Sequence, residues 1–256
     1  MKIVVSVKQV PSRDSNLRVN ASGTWLDESD LTYEINEPDA YALEEGLQLK
    51  EKLGGEVIAL CAGPERASQT IRETLAKGAD RAIHVQMEDA AGLHSLTTAK
   101  LLAKAVAAEK PDLILTGLQS EDLGYGQTGV LLAELLGWPH ATIVMEVEPR
   151  DSSLRVKREL EDGWFQYVSL PLPAVLTVQS GIKKLRYATL MGIKKAKSKE
   201  VKTISASDLG VDLKGAGGFS RIYAPERKKS AQLFTGDAKR AAAELIEKLR
   251  FEARAL

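Results

Sequence analysis

Glu56-Val57-Ile58-Ala59-Leu60-Cys61-Ala62-Gly63-Pro64-Glu65 opens as an apolar, β-branched run and closes on small residues and a proline. Residues 56–61 read as a buried strand, because an apolar run this short, bounded by turn residues, suits a pleat better than a helix. Pro64 sits at a first-turn position of a helix that stops at Lys77-Gly78, and Arg81-Ala82-Ile83-His84-Val85 forms a second strand. A strand, a helix and a strand at this spacing make a parallel crossover unit.

The same grammar extends in both directions. Residues 3–7, 112–115 and 141–147 read as further strands. One helix starts at Asn36-Glu37-Pro38-Asp39, where Asn36 can cap and the acids suit the positive end of the helix dipole, and it stops at Gly54-Gly55. Another runs from about residue 93 to residue 109 and is broken by Pro111. The expected fold class is α/β, a mostly parallel Rossmann-like sheet with helices on both faces and ligands beyond the carboxyl ends of the strands. From residue 154 the pattern changes. Residues 154–160, a turn at Glu161-Asp162-Gly163 and residues 164–170 alternate like a hairpin, and a run follows at residues 174–178, together a small antiparallel addition. After Gly181 the chain becomes polar and loop-rich, and a last amphipathic helix over about residues 237–253 has Thr235 as its candidate cap. Two parts are expected: an α/β nucleotide-binding domain over residues 1–212, and a C-terminal arm over residues 213–256 with too little apolar material for a core of its own.

Composition narrows the function classes. The 256 residues carry 35 Lys+Arg against 35 Asp+Glu, which argues against a general nucleic-acid binder, since phosphate affinity rests on excess basic charge. No stretch approaches the roughly 20 apolar residues of a membrane span, so no direct membrane insertion is expected. Cys61 is the only cysteine, which leaves no intrachain disulfide or thiolate metal site and favours a reducing, cytoplasmic location. Residues 1–8 suit a first strand rather than a leader peptide. His84, His94 and His140 are scattered without metal-site spacing, so no metal is expected, and no catalytic acid, base or nucleophile set is evident.

Three strand ends carry the ligand signals. The most informative is Gly117-Leu118-Gln119-Ser120-Glu121-Asp122-Leu123-Gly124-Tyr125-Gly126-Gln127-Thr128-Gly129, in which Gly124, Gly126 and Gly129 match G-x-G-x-x-G. A dinucleotide fingerprint belongs to the first βα unit, whereas this one follows the fourth strand. Two readings stand: glycines and a helix start, with the Thr128 hydroxyl, that favour a nucleotide phosphate, or a glycine-rich connection with Thr128 as a cap. Ser6 after the first strand and Ala62 after the second add to the first reading. Charge is segregated: residues 27–51 hold nine acidic groups and one basic, and residues 181–202 hold eight basic and one acidic. The basic stretch brackets Tyr187-Ala188-Thr189-Leu190-Met191-Gly192-Ile193, apolar residues in a loop, which is the composition of a protein docking site.

Val7-Lys8-Gln9-Val10, residues 36–45, Gly78-Ala79-Asp80-Arg81-Ala82, Gln127-Thr128-Gly129, Leu172-Pro173-Ala174-Val175, Arg186-Tyr187-Ala188-Thr189-Leu190 and Ser207-Asp208-Leu209-Gly210-Val211, in this order, resemble the electron transfer flavoprotein beta-subunit family. The resemblance implies an adenine-nucleotide-binding fold and a heterodimer with an alpha subunit that holds the main FAD, this subunit being an electron carrier rather than an enzyme. It further implies AMP bound in this subunit, with electrons passing from flavoprotein dehydrogenases of the acyl-CoA dehydrogenase type towards the respiratory chain, as in fatty acid oxidation. In bifurcating and nitrogen-fixation-type relatives the bound nucleotide is a second FAD reduced by NADH.

The family's nucleotide contacts fall on Ser6, Asn36, Ala62, Gly117, Asp122, Gly126, Gln127 and Thr128, to which the glycine motif adds Gly124 and Gly129. Its docking loop falls on residues 186–197, with Arg186, Tyr187, Ile193, Lys194 and Lys195 around Leu190 as the apolar anchor. Two positions depart from the housekeeping pattern. Leu123-Gly124-Tyr125-Gly126 replaces acidic and Asn residues, and Arg13 stands where an aromatic is expected near the alpha subunit's flavin.

Overall fold

β1 (Lys2–Ser6) is followed by a short antiparallel pair, β2 (Gln9–Pro11) and β3 (Tyr33–Ile35), which leads into α1 (Glu37–Leu53). The chain continues through β4 (Glu56–Gly63), a 3₁₀ turn at Glu65–Ala67, α2 (Ser68–Lys77), β5 (Arg81–Gln86), α3 (Ser95–Val106), β6 (Leu113–Gly117), α4 (Thr128–Leu136) and β7 (His140–Arg150). β8 (Ser153–Glu159), β9 (Phe165–Pro171), β10 (Ala174–Val178), α5 (Leu190–Ala196), β11 (Val201–Ser205) and α6 (Ala238–Phe251) complete it. The computed structural model describes residues 1–88, 93–213, 219–225 and 231–256, which divide into two units, Met1–Ile222 and Tyr223–Leu256.

The first unit is an α/β domain built on a nine-stranded sheet of order β11-β5-β4-β1-β6-β10-β7-β8-β9. β1 pairs in parallel with β4 on one side and β6 on the other, with Ile3 opposite both Val57 and Leu113. Alternation along these strands feeds two cores. Ile3, Val5, Val57, Ala59, Leu113 and Leu115 pack with Leu43 and Leu47 of α1 and Ile71 and Leu75 of α2. Val4, Ile58, Leu60 and Ile114 pack on the other face with Leu101 and Leu102 of α3 and Leu132 of α4. Both faces are covered, which is why these strands read as continuous apolar runs. Each buried Leu or Ile contributes about 1.5–3 kcal/mol.

Several local expectations change. The run at residues 174–178 is not part of the antiparallel addition: β10 lies between β6 and β7 and is parallel to both, so within the nine-stranded sheet the antiparallel pairs are β7–β8 and β8–β9. Every residue of β10 is buried, a central-strand pattern that the preceding hairpin masks in the sequence. The stretch after Gly181 is not all loop, since it holds α5 and also β11, which joins the sheet edge beside β5. Asn36 precedes α1 without a side-chain cap bond, because its amide is engaged elsewhere. His94 caps α3 and Asp237, not Thr235, caps α6.

The first unit reaches ten residues past the sequence-based boundary at 212, and the sequence signals at Gly215, Gly217 and Gly218 lie outside the described residues. Within the second unit, α6 has no buried residue, and Leu245, Ile246 and Phe251 are exposed.

Candidate functional site

The carboxyl ends of β1, β4 and β6 and the start of α4 surround a cleft of about 540 Å³. It lies where a parallel sheet is expected to receive ligands. Ser6, Asn36, Ala62, Gly117, Asp122, Gly126, Gln127, Thr128 and Gly129 all line it. Gly124 does not; it turns the loop, its N–H donating to the Ser120 carbonyl at 2.8 Å.

The cleft floor is fastened by a residue that the sequence reading passed over as a helix-start acid. Asp39, in the first turn of α1, accepts the Lys8 N–H at 2.8 Å on Oδ2 and the Gly117 N–H at 2.8 Å on Oδ1, and so joins the ends of β1 and β6. Burial pushes its carboxyl up to about 6, against the opposing pull of those two N–H groups. Asn36 works in the same way: its Nδ2 donates to the Gln119 carbonyl and its Oδ1 accepts the Glu121 N–H, each at 3.0 Å. Lys8 closes the span, its ammonium 2.7 Å from Asp122.

The glycine motif divides by role. Gly129 is set by packing, since a Cβ there would meet Thr177 Cγ2 at 2.5 Å and Thr116 Oγ1 at 2.7 Å. Thr128 is the first residue of α4 rather than its cap, and the residue before it, Gln127, makes no side-chain cap bond. The N–H groups opening α4 therefore face the cleft without a side-chain acceptor, an arrangement that suits a phosphate.

Away from the cleft, residues 186–197 form an anchored, outward-facing segment. Arg186 grips α1, donating from Nε and Nη2 to both Glu44 carboxylate oxygens at 2.8 and 3.0 Å, and from Nη1 to Glu51 at 2.6 Å. Thr189 caps α5 by accepting the Gly192 N–H at 3.0 Å. Gly192 lets α5 meet α2, since a Cβ would lie 2.3 Å from the Ala76 carbonyl oxygen. The residues read as loop at 190–193 are thus helical, and their apolar side chains turn outward: Tyr187 is 92% exposed and Leu190 80%, with Met191 and Ile193 also exposed. Lys194 and Lys195 fall in the last turn, where cations complement the dipole.

An electron transfer flavoprotein domain matches residues 23–209. Over 96% of this chain, a protein named electron transfer flavoprotein subunit beta from Methylophilus methylotrophus is 37% identical, with 97% of its own length covered. The chain belongs to the electron transfer flavoprotein beta-subunit family. The Homo sapiens beta subunit is 40% identical over 83% of this chain and 84% of its own length. A protein from Oryza sativa subsp. indica named as the mitochondrial beta subunit is 36% identical over the full length of both chains.

Family membership makes this an electron-transfer subunit. In this beta subunit Arg13 is bound to its own chain: its Nε donates to Glu121 Oε1 at 3.1 Å and its Nη2 pairs with Glu37 and Glu121. The cleft is also lined by residues the sequence reading left without a role, among them Trp25, Glu28, Tyr33 and Arg66. For Trp25, Glu28 and Tyr33 the sequence signal was the density of acids and aromatics before α1, and Arg66, which follows β4, carried none. Two of the three histidines have structural contacts: buried His84 meets the Gly63 carbonyl at 3.1 Å, and His94 Nδ1 accepts the Leu96 N–H at 3.3 Å. Among the described residues, no group of three or more His, Cys, Asp or Glu is placed to hold a metal ion, and no helix is long and apolar enough to cross a membrane.

Proposed function

We propose that this beta subunit pairs with an alpha subunit, holds AMP in the cleft, and brings flavoprotein dehydrogenases of the acyl-CoA dehydrogenase type against the shared electron path towards the respiratory chain. The observation that carries the nucleotide reading is the convergence of three strand ends on the uncapped start of α4. The residues fit such a guest: the N–H groups at Thr128 and Gly129 would take the phosphate, with the Thr128 hydroxyl beside them, and Asp122, paired with Lys8, is among the polar residues of the lining. Ser6 and Ala62 present small side chains that let a ligand approach the strand ends, and Gly117 lets the start of α1 pack against its strand, since a Cβ there would meet Asp39 Oδ1 at 2.5 Å. FAD, held mainly by the alpha subunit, supplies the redox chemistry when bound. This chain binds, orients and docks.

The docking reading rests on Leu190, exposed and flanked by Tyr187, Ile193, Lys194 and Lys195 on a segment fixed by Arg186. Apolar anchors within steering charge favour a protein partner. Of the expected arm, the part beyond the first unit, residues 223–256 with α6, serves to pack on the alpha subunit, supported by an amphipathic helix with no buried residue. Deleting residues 237–256 is expected to impair heterodimer formation, and a fully stable truncated complex would refute that role. The compartment is taken as cytoplasmic, in keeping with a lone, buried Cys61.

The second reading places a second FAD, reduced by NADH, in the same cleft. Its support is Leu123-Gly124-Tyr125-Gly126, which stands in place of the acidic and Asn residues usual before Gln127-Thr128-Gly129. The ratio of FAD to AMP released from the complex co-purified with its alpha subunit separates the two. One FAD with one AMP upholds the carrier reading, whereas two FAD without AMP transfers the cleft to a working flavin.

A further inference from the structure

Part of the cleft lining is a hairpin that nucleotide binding alone leaves unexplained. Val19 and Leu26 form an antiparallel bridge across it, the Asn20 N–H donates to the Trp25 carbonyl at 2.8 Å, and the Asp27 N–H donates to the Arg18 carbonyl at 2.8 Å. Trp25 lines the cleft and is held at several points. Its indole stacks on Phe219, with ring centroids 5.9 Å apart and planes at 27°. Its Nε1 donates to Glu28 Oε1 at 2.9 Å, and Glu28 lies 3.2 Å from Arg66, whose guanidinium sits over the Tyr33 ring. The Ile222 N–H donates to the Gly23 carbonyl at 2.7 Å, fastening the chain after Phe219 to the hairpin turn. Phe219 does not itself line the cleft, so it braces the indole from outside.

A tryptophan on a surface hairpin loses rotamer freedom when it is fixed. Here that ordering is supplied within the domain by a stack and two hydrogen bonds. The result is a flat aromatic wall already in place at the cleft. Planar heteroaromatic rings gain more from such a wall than sugars or phosphates do, because every base presents a π face that stacks with little sequence or substituent preference.

We propose that Trp25 is the ring-stacking wall of the cleft, with Phe219 as its positioning residue, and that it takes the planar heteroaromatic ring of the bound nucleotide. The proposal rests on the reading of the cleft as a nucleotide site. Adenine and isoalloxazine share the required chemistry, and the ligands used in the test separate them.

The test uses the complex with its alpha subunit and measures the affinity of AMP and of FAD by equilibrium dialysis, alongside indole fluorescence. Trp25→Leu keeps apolar bulk without a π face and is expected to weaken binding about tenfold, while Trp25→Phe stays within about threefold of the parent. Phe219→Leu weakens binding less, and Phe219→Tyr restores it. Ligand quenches the parent's fluorescence, and that quench disappears in Trp25→Phe, a readout that does not depend on the leucine variant folding. Weakening towards AMP assigns the wall to adenine, and weakening towards FAD alone assigns it to isoalloxazine. Equal affinities in Trp25→Leu and Trp25→Phe, with the parent binding normally, overturn the stacking role and leave the nucleotide reading standing. A parent complex that binds neither ligand overturns both.

Discussion

The cleft floor and the outer face of α5 are both built at junctions between a loop and a helix, yet they are finished in opposite ways. On the floor the polar groups find partners within the chain: Asp39 takes two backbone N–H groups, Asn36 gives and accepts one bond each, and Lys8 meets Asp122. On α5 the polar anchor, Arg186, is satisfied beneath the segment while Tyr187, Leu190 and Met191 stand in solvent. The difference separates two kinds of site. A small ligand binds best where the geometry is already fixed, whereas a protein partner is met by apolar surface whose burial is deferred until docking.

Breaking the floor is expected to have the largest effect. Asp39→Ala leaves the Lys8 and Gly117 N–H groups without their acceptor inside the protein, at a cost of about 3 kcal/mol, read as a lower urea midpoint together with lost nucleotide. The acid has a pH signature as well. Its pKa stands at about 6 in the fold against an ordinary 3.8, so between those values the folded state holds the extra proton. Stability therefore falls as pH rises through that window, by about 3 kcal/mol, and is flat above it. Urea unfolding from pH 4 to pH 7 should show this slope in the parent and not in Asp39→Asn; parallel curves would remove Asp39 from the account.

Loosening the support under α5 comes next. Arg186→Ala leaves Glu44, whose side chain is 5% exposed, without its guanidinium, and should cost about 2 kcal/mol of stability while also slowing electron transfer from a dehydrogenase. The smallest structural effect and the sharpest functional one belong to Leu190→Ala. Stability should stay within about 0.5 kcal/mol, flavin content should be intact, and the rate with a dehydrogenase should fall about tenfold. An unchanged rate would make the exposed face of α5 something other than a dock.

The two regions also differ in how far they could be read in advance. The members of the cleft were legible one by one, because strand ends, glycines and a helix start each carry a local signature, and nearly all of them meet. Their mutual roles were not legible. Asn36 looks like a cap and is a loop tie, Gly129 looks like a ligand contact and is also fixed by packing, and Asp39 looks like dipole decoration and is the clamp. Around α5, composition pointed to the surface but not to the helix, since seven residues, with one glycine and two lysines among them, carry too little periodicity.

What the sequence determined by itself is the alternation of strand and helix, the two-faced burial of the central strands, the balance and segregation of charge, and the ordered motifs of the family. These follow from periodicity, turn residues and composition, all of which act over a few positions. Only the tertiary structure decided that β10 enters between β6 and β7, that β11 returns to the far edge, and that Trp25 is braced by Phe219. It also decided the pairs that hold the sites, since Lys8 meets Asp122 across 114 positions and Arg186 meets Glu44 across 142. Such contacts depend on how crossovers and packed faces bring distant segments together, and a local pattern carries the face a residue presents but not the neighbour it will find there.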